Sequence, residues 1–207
     1  YVHIVAGTSA STGGAVHIVP PMAIAAAYLT DAAATFKASL SIPLFVTGRI
    51  NQPQEAELIL ARGQADVCGM TRALICDPLM PAKTLDGRAE DVRACIACNQ
   101  ACIGHFHKGL PISCIQHPET GRELHYGNLQ PTLKRRRIMV VGGGPAGMKA
   151  AAVAAQRGHD VTLFEASGQL GGQVLLAQLL PRRSEFGGAS TNLQREMTLA
   201  GVRVLRN

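Results

Sequence analysis

Four of the chain's six cysteines fall within one short segment. They are Cys95, Cys98, Cys102 and Cys114, and their spacing is C-x2-C-x3-C-x11-C. Two thiolates separated by two residues can face inward from one tight loop, a third follows on the next turn, and a distant fourth completes the set. A chain that presents sulfur ligands in this way can enclose a metal centre. The spacing therefore predicts a metal-binding loop and linker at residues 91–133.

Three kinds of sulfur chemistry compete for this segment. Disulfides are disfavoured because Cys95 and Cys98 lie too close for an unstrained bridge, and because no secretory signal places the chain in an oxidising compartment. A structural zinc ion suits four cysteines as well as iron does, but the common zinc pattern has two C-x2-C pairs and the second is missing here. We therefore favour an iron–sulfur cluster and keep zinc as the alternative. Of the other two cysteines, Cys68 is interpreted as a small buried hydrophobe, and Cys76 is assigned no role.

The segment before the cysteines alternates between strand and helix patterns, at intervals typical of a (β/α)8 barrel. A loop rich in Gly and Ser is expected at residues 7–14. The patterns predict strands at 1–6, 43–46 and 65–69, and helices at 22–38, 53–62 and 78–85.

Two turns at the ends of predicted strands carry both glycine and arginine. Thr47-Gly48-Arg49 follows the second strand, and Gly69-Met70-Thr71-Arg72 follows the third. Consecutive barrel strands commonly build a phosphate site at this edge from glycines, backbone N–H groups and a cation, and a guanidinium donates two parallel hydrogen bonds to phosphate. The alternative is that Arg49 and Arg72 are surface arginines in ordinary salt bridges. Their equivalent positions give the two interpretations equal weight.

A strand, a glycine turn and a helix follow one another after residue 133. A strand of the buried parallel type at 137–141 runs into Gly142-Gly143-Gly144-Pro145-Ala146-Gly147, an alanine-rich helix follows, and the next strand ends at Glu165. Gly142 permits the tight turn, Gly144 lets the backbone approach a pyrophosphate, and Gly147 lets the helix pack closely on the strand. The helix N-terminus stabilises phosphate charge, and Glu165 can accept hydrogen bonds from a ribose 2′-hydroxyl. This pattern predicts a Rossmann-like dinucleotide site.

Composition disfavours several classes of protein. The 207 residues are 47% hydrophobic and 16% charged, which is typical of a globular α/β cofactor-binding chain. The net charge of +6 is scattered apart from residues 134–137, and no aromatic residues accompany that run, so nucleic-acid binding is not expected. No apolar run approaches the roughly 20 residues of a membrane helix. We expect a cytoplasmic protein that acts on a small molecule. The sequence fixes neither the substrate nor whether the protein is a homo-oligomer.

Three ordered motifs resemble one enzyme family over essentially the whole chain. They are F-V-T-G-R-I-N-Q-P, G-Q-A-D-V-C-G-M-T-R-A-L-I-C-D-P and C-I-A-C-N-Q-A-C. The chain resembles the old yellow enzyme branch that includes 2,4-dienoyl-CoA reductase and trimethylamine dehydrogenase, and its cysteine spacing is closer to the dienoyl-CoA reductases. The resemblance implies an α/β fold in three parts. These are the C-terminal portion of an FMN-binding TIM (β/α)8 barrel at 1–90, a 4Fe–4S loop and linker at 91–133, and the start of a Rossmann-like FAD- or NAD(P)-binding domain at 134–207.

The resemblance also implies roles for individual residues. By position, Arg49, Thr71 and Arg72 would hold the FMN phosphate beside Gly48 and Gly69, and the four cysteines would ligate the cluster. A second glycine turn precedes Gln173, and the residues expected to contact FAD or ADP are Ala146, Glu165 and Gln173. The catalytic residues stay unknown. Ser11 falls near the position of the reductases' catalytic histidine, and His17 is interpreted as a non-catalytic loop residue. Because the earlier barrel strands are missing, we expect the sequence to be an internal portion of a longer enzyme.

Three functions remain open at this point. In the first, electrons from NAD(P)H pass through FAD, a 4Fe–4S cluster and FMN to an enoyl or related unsaturated substrate. In the second, an amine dehydrogenase passes electrons from its substrate to an external acceptor and holds ADP only as structure. In the third, a zinc-stapled module binds a nucleotide and has no redox activity.

Overall fold

The structure is a computed structural model that describes all of residues 1–207. The chain divides into two compact units, Tyr1–Thr120 and Gly121–Asn207. Each is a mixed α/β unit with a three-stranded parallel sheet. The cysteine segment is part of the first unit, and the second unit begins before the boundary predicted at residue 134. None of the helices combines the length and the apolar character that crossing a membrane requires.

In the sheet of the first unit, two of the three residues of the middle strand are fully buried. Its strands, in spatial order, are β1 (Val2–Ile4), β2 (Leu44–Val46) and β3 (Val67–Cys68). Leu44 and Val46 are both 0% exposed, because helices pack over β2 while β1 and β3 flank it. The core around them contains Ala33, Ile50, Ile59 and Ala65. All three strands predicted for this region are confirmed, each with shorter bounds.

The helices of the first unit agree only in part with the sequence patterns. They are α1 (Thr12–Ile18), α2 (Thr30–Lys37), α3 (Pro53–Ala61), α4 (Thr71–Cys76), α5 (Met80–Leu85) and α6 (Ile103–Phe106), with a 3-10 turn at Ala89–Asp91. The prediction of a single helix at 22–38 is wrong, because Ala27 has a left-handed φ of 51° and its N–H donates to the carbonyl of Arg49. The loop predicted at 7–14 is wrong in its second half. There the Ser11 hydroxyl accepts from the N–H of Gly14 and caps α1.

Strands and helices alternate along the second unit, as they do in proteins with a parallel sheet. Its elements along the chain are α7 (Glu123–Tyr126), β4 (Arg137–Val141), α8 (Pro145–Gln156), β5 (Asp160–Glu165), α9 (Val174–Ala177), α10 (Phe186–Leu199) and β6 (Arg203–Arg206). The strand order is β4-β5-β6, and all pairings are parallel. Helices α8 and α10 pack together over one face, where Met148, Leu163, Leu193 and Met197 form the core.

The other face of this sheet is open to solvent. Met139 and Val141 in β4 are 70% and 76% exposed. The prediction of a fully buried strand at 137–141 is therefore wrong for one face. The physical reason is that the core residues of both long helices lie on the side of Ile138 and Val140.

Candidate functional site

The two turns that carry glycine and arginine line one cavity in the first unit. Its volume is about 660 Å³. Parallel strands present their carboxyl ends at the same edge of a sheet, which is why turns that follow β2 and β3 meet there. The structure brings together all five residues predicted for the phosphate site, namely Gly48, Arg49, Gly69, Thr71 and Arg72.

The turn after β2 has an unusual backbone. Gly48 has a φ of 122°, and Arg49 has a left-handed φ of 61°, which costs on the order of 1–3 kcal/mol for a residue other than glycine. Arg49 is only 6% exposed, and its Nη1 donates to the carbonyl oxygen of Ile24. This arginine is therefore held in the wall of the cavity rather than on open surface.

Arg72 lies between two cavities of the first unit. Its Nη1 donates to the carbonyl oxygen of Pro20 at 2.8 Å and to Oδ1 of Asn99 at 2.7 Å. It lines the large cavity just described and also the cavity that the cysteines line. Burial lowers the pKa of the guanidinium, and the nearby sulfurs of Cys95 and Cys102 oppose that shift. Because the ordinary pKa of arginine is above 12, the side chain stays cationic.

The four cysteines predicted to bind a metal centre line this second cavity together. Cys95, Cys98, Cys102 and Cys114 surround a space of about 20 Å³. All of them are free thiols in this structure. No three His, Cys, Asp or Glu side chains of the chain are arranged to bind one metal ion. What the four cysteines share is this one cavity.

Two left-handed residues shape the cysteine loop. Ala97 and Asn99 have φ values of 47° and 57°. The turn at Ala97 directs its N–H toward Sγ of Cys95 at 3.4 Å, and Nδ2 of Asn99 donates to the carbonyl oxygen of Val19 at 2.7 Å. Sequence spacing missed Asn99, although asparagine between two cysteines is a recognisable signal because it tolerates this conformation.

Cys114, the fourth cysteine, is placed beside the cavity by a backbone hydrogen bond of its neighbour. Its pKa differs in direction from those of Cys95 and Cys98. The N–H of Ser113 donates to the carbonyl oxygen of Ala101 at 2.8 Å, which places the next residue beside the first three ligands. A hydrogen bond with the thiol of Cys76 lowers the pKa of Cys114 to about 6, and backbone N–H groups add to the shift. Burial instead raises the pKa of Cys95 to about 11 and also raises that of Cys98. Sequence analysis assigned Cys76 no role, because no spacing rule joins it to the other cysteines.

A buried ion pair anchors the chain immediately before the cysteine loop. Asp77 is 1% exposed, and its Oδ2 accepts from Nζ of Lys83 at 2.6 Å and from the N–H of Arg93 at 2.8 Å. Its Oδ1 accepts from the N–H of Leu79 at 3.1 Å. Lys83 also donates to the carbonyl oxygen of Asp91. One carboxylate thus fixes the segment that leads into Cys95, and no motif in the sequence predicted it.

The glycine turn of the second unit meets the steric demands expected of it. Gly142 has a φ of 103°, and a Cβ on Gly147 would lie 2.0 Å from the carbonyl oxygen of Gly142. A Cβ on Gly144 would meet no atom within 4 Å, and this residue is the N-cap of α8. The chain therefore needs glycine at Gly142 and Gly147 for its own fold, while the open side of Gly144 leaves room for another molecule.

The carboxylate of Glu165 is hydrogen-bonded to the glycine turn after β4. Its carboxylate accepts from the N–H of Ser167 at 2.8 Å and from the N–H of Gly143 at 2.6 Å, and these bonds hold the pKa of the carboxyl below its usual range. Gly142 and Glu165 line a cavity of about 360 Å³. Ala146 and Gln173 are exposed and do not line it. Of the residues predicted to contact the dinucleotide, the structure therefore brings only some to this cavity.

Known proteins resemble the chain across both units. A family model described as FAD dependent oxidoreductase matches residues 137–192. A metal reductase of Desulforamulus reducens is 44% identical over 90% of this chain and 27% of that protein. An NADH oxidase of Thermoanaerobacter brockii is 40% identical over 81% of this chain and 26% of that protein. The chain belongs to the flavoprotein oxidoreductases related to old yellow enzyme and trimethylamine dehydrogenase.

This flavoprotein family contains both reductases and dehydrogenases. A dimethylamine dehydrogenase of Hyphomicrobium is 32% identical over 72% of the chain and 21% of that enzyme. The solved structure of a 2-naphthoyl-CoA reductase superposes with a TM-score of 0.85 at 32% identity, covering 90% of this chain and 29% of that one. The chain spans about a quarter of the length of the metal reductase and the NADH oxidase.

Proposed function

We propose that the chain is part of an NAD(P)H-dependent oxidoreductase that passes electrons through FAD, a 4Fe–4S cluster and FMN to an enoyl or related unsaturated small molecule. The observation that carries the proposal is that Arg72 lines both the cysteine cavity and the large cavity. Two redox groups held there would share one cationic side chain. Nicotinamide gives two electrons as hydride while a cluster accepts one at a time, and flavins exchange electrons with both.

The cysteine pattern supports a cluster over zinc, because it lacks the second C-x2-C pair that is common at zinc sites. Zinc requires four sulfurs about 2.3 Å from one ion. In a 4Fe–4S cube each cysteine binds its own iron, so the sulfurs must stand apart around a cavity. Cys95, Cys98, Cys102 and Cys114 all line one cavity, as four separate ligands of a cluster would. The bond from the N–H of Ala97 to Sγ of Cys95 is of the kind that stabilises a cluster-bound thiolate.

The large cavity suits FMN in volume and in charge. At about 660 Å³ it falls within the roughly 300–1,000 Å³ of cofactor pockets. The proposed phosphate contacts are Arg49, Arg72, Thr71 and the backbone at Gly48 and Gly69. In this proposal, residues 1–90 are a portion of a (β/α)8 barrel, with its phosphate site at the carboxyl ends of the strands.

The proposed dinucleotide site is the glycine turn and Glu165, in a Rossmann-like domain. The free side of Gly144 supports close approach of a pyrophosphate at the start of α8. Glu165 already orders the turn by accepting from the N–H of Gly143, and its remaining lone pairs can accept from ribose hydroxyls. Ala146 and Gln173 are proposed as further contacts of FAD or ADP.

The test uses the complete protein purified without oxygen. We expect iron and acid-labile sulfide together with flavin absorption near about 370 and 450 nm, and bleaching of the flavin when NADH is added. A protein with zinc instead of iron would refute the cluster. Flavin that NADH leaves oxidised would refute nicotinamide as the electron source.

A second candidate function is an amine dehydrogenase with outward electron flow. The observation that favours it is the residue at the position where the reductases have their catalytic histidine. In this chain Ser11 falls near that position, and its hydroxyl caps α1. One relative of the chain is named dimethylamine dehydrogenase, and a dehydrogenase takes electrons from its substrate. Anaerobic reduction of the flavin by dimethylamine, with no reduction by NADH, would select this function.

A further inference from the structure

The side-chain amide of Asn99 joins three parts of the first unit. Its Nδ2 donates to the carbonyl oxygen of Val19 at 2.7 Å, and its Oδ1 accepts from Nη1 of Arg72 at 2.7 Å. Asn99 itself lines the cysteine cavity, whereas Val19 lines the large cavity and Arg72 lines both. One side chain of the cysteine loop therefore holds two parts of the wall of the neighbouring cavity.

Two hydrogen bonds at Nη1 set the direction of the Arg72 guanidinium. Nη1 donates to Oδ1 of Asn99 and also to the carbonyl oxygen of Pro20 at 2.8 Å. A guanidinium is planar and presents its donors in a fixed fork, so these two acceptors also fix where Nε and Nη2 point. Nε and Nη2 are the pair of donors that a side-on contact with a phosphate would use.

The segment that follows α1 is bound to the cysteine loop at two points. Besides the bond from Asn99 to Val19, the N–H of Met22 donates to the carbonyl oxygen of Ala97 at 3.0 Å. Pro20, which supplies the second acceptor of Arg72, lies between these two points. Asn99 therefore supplies one acceptor of the guanidinium with its own Oδ1 and helps to place the other.

The backbone of Asn99 does not by itself explain the residue. Its φ of 57° is left-handed, and its carbonyl oxygen accepts from the N–H of Gly104 at 3.0 Å. Glycine would adopt this conformation at least as readily as asparagine. What asparagine adds is an amide that donates and accepts at the same time, and both ends of that amide are used.

We propose that Asn99 is a positioning residue for phosphate binding in the large cavity, because its amide orients the guanidinium of Arg72 from within the cysteine loop. The inference rests on the proposed function, which puts the FMN phosphate beside Arg72. A guanidinium that turns away from its fixed direction loses one of its two parallel bonds to phosphate. Loss of the amide should therefore weaken a ligand that carries a phosphate and leave the same ligand without phosphate almost unaffected.

The test compares FMN with riboflavin, which has the same ring system and no phosphate. Both are titrated into flavin-free, iron-loaded, full-length enzyme, and flavin fluorescence gives the two dissociation constants. In Asn99→Gly, which keeps the left-handed backbone, we expect FMN to bind about tenfold more weakly and riboflavin to stay within about twofold of the unaltered enzyme. The matched control is Gln100→Gly. Gln100 is the next residue, is exposed and lines neither cavity, so both constants should be unchanged.

Each outcome decides the inference. Equal weakening of FMN and riboflavin in Asn99→Gly overturns it, because a general loosening of the cavity does not distinguish the two ligands. An unchanged FMN constant overturns it as well, and so does the same FMN-specific loss in Gln100→Gly.

The same titrations keep the inference testable if Asn99→Gly loses iron. They are then made on the iron-free forms of all three proteins, where an FMN-specific loss in Asn99→Gly alone supports the inference and any other result overturns it. An unaltered enzyme that binds FMN no more tightly than riboflavin overturns the proposed phosphate site itself. That result is distinct from an unaltered enzyme that prefers FMN and an Asn99→Gly variant that keeps the preference, which overturns only the role of Asn99.

Discussion

Replacing Asp77 by asparagine should open the segment that leads into the cysteine loop. The carboxylate side chain is 2% exposed and pairs with Lys83 at 2.6 Å, and it also accepts from the N–H of Arg93. Asparagine leaves the ammonium of Lys83 without its counter-charge in a poorly solvated place. Breaking a buried pair from one side costs about 3–5 kcal/mol. At about 1.36 kcal/mol per factor of ten, local opening becomes roughly a hundred to a few thousand times more frequent.

Hydrogen–deuterium exchange of the full-length enzyme measures this opening directly. Peptides covering residues 77–95 should exchange faster in Asp77→Asn by about the factor just given, since exchange follows the opening equilibrium. Asp86→Asn is the matched control, because Asp86 pairs with Arg88 on open surface and surface pairs contribute little. Adding Lys83→Met to Asp77→Asn should recover part of the protection by removing the stranded charge. Equal exchange in Asp77→Asn and the control would refute the reasoning.

The remaining predictions concern the glycine turn, its carboxylate and the shared arginine. Gly147→Ala should lower the melting temperature, because the new Cβ would lie 2.0 Å from a carbonyl oxygen, whereas Gly144→Ala should melt normally yet bind FAD about tenfold more weakly. The bond from the N–H of Gly143 to Glu165 should be present above the usual carboxyl pKa and be lost only as pH falls through the lowered folded-state pKa. An amide NMR shift of Gly143 that titrates at the usual value would contradict this. Arg72→Lys keeps the charge but loses the planar fork, so both FMN and iron content should fall together on analysis of the purified enzyme.

Features set by local sequence were predictable. The helix at 53–62 was predicted from Pro53, and it begins there because proline suits the first helical turn and Glu55 accepts from the N–H of Gln52. The need for glycine at Gly142 and Gly147 was also predictable, since a strand, a tight turn and a close helix dictate it within a few residues. In such cases the physical constraint and the sequence signal lie in the same short stretch.

Features set by distant contacts were not predictable from patterns. Ala27 is a good helix former, yet its contact with the carbonyl of Arg49 turns the chain left-handed and delays α2 to Thr30. The bond from Nε2 of Gln116 to Sγ of Cys76 joins residues that no spacing rule pairs. Which face of β4 is buried likewise depends on where α8 and α10 pack, and periodicity in a short apolar run does not carry that information.

Arg72 links the two cavities of the first unit, because it lines both of them. Its guanidinium donates to Asn99, whose left-handed backbone lies between the second and third cysteines, so the phosphate turn and the cysteine loop hold each other in place. A cation at that point offsets the negative charge that four thiolates and a phosphate would bring together. An arginine that served phosphate alone would not need a partner in the cysteine loop. The bond to Asn99 is therefore what the proposed function expects of a residue placed between a phosphate and a cluster.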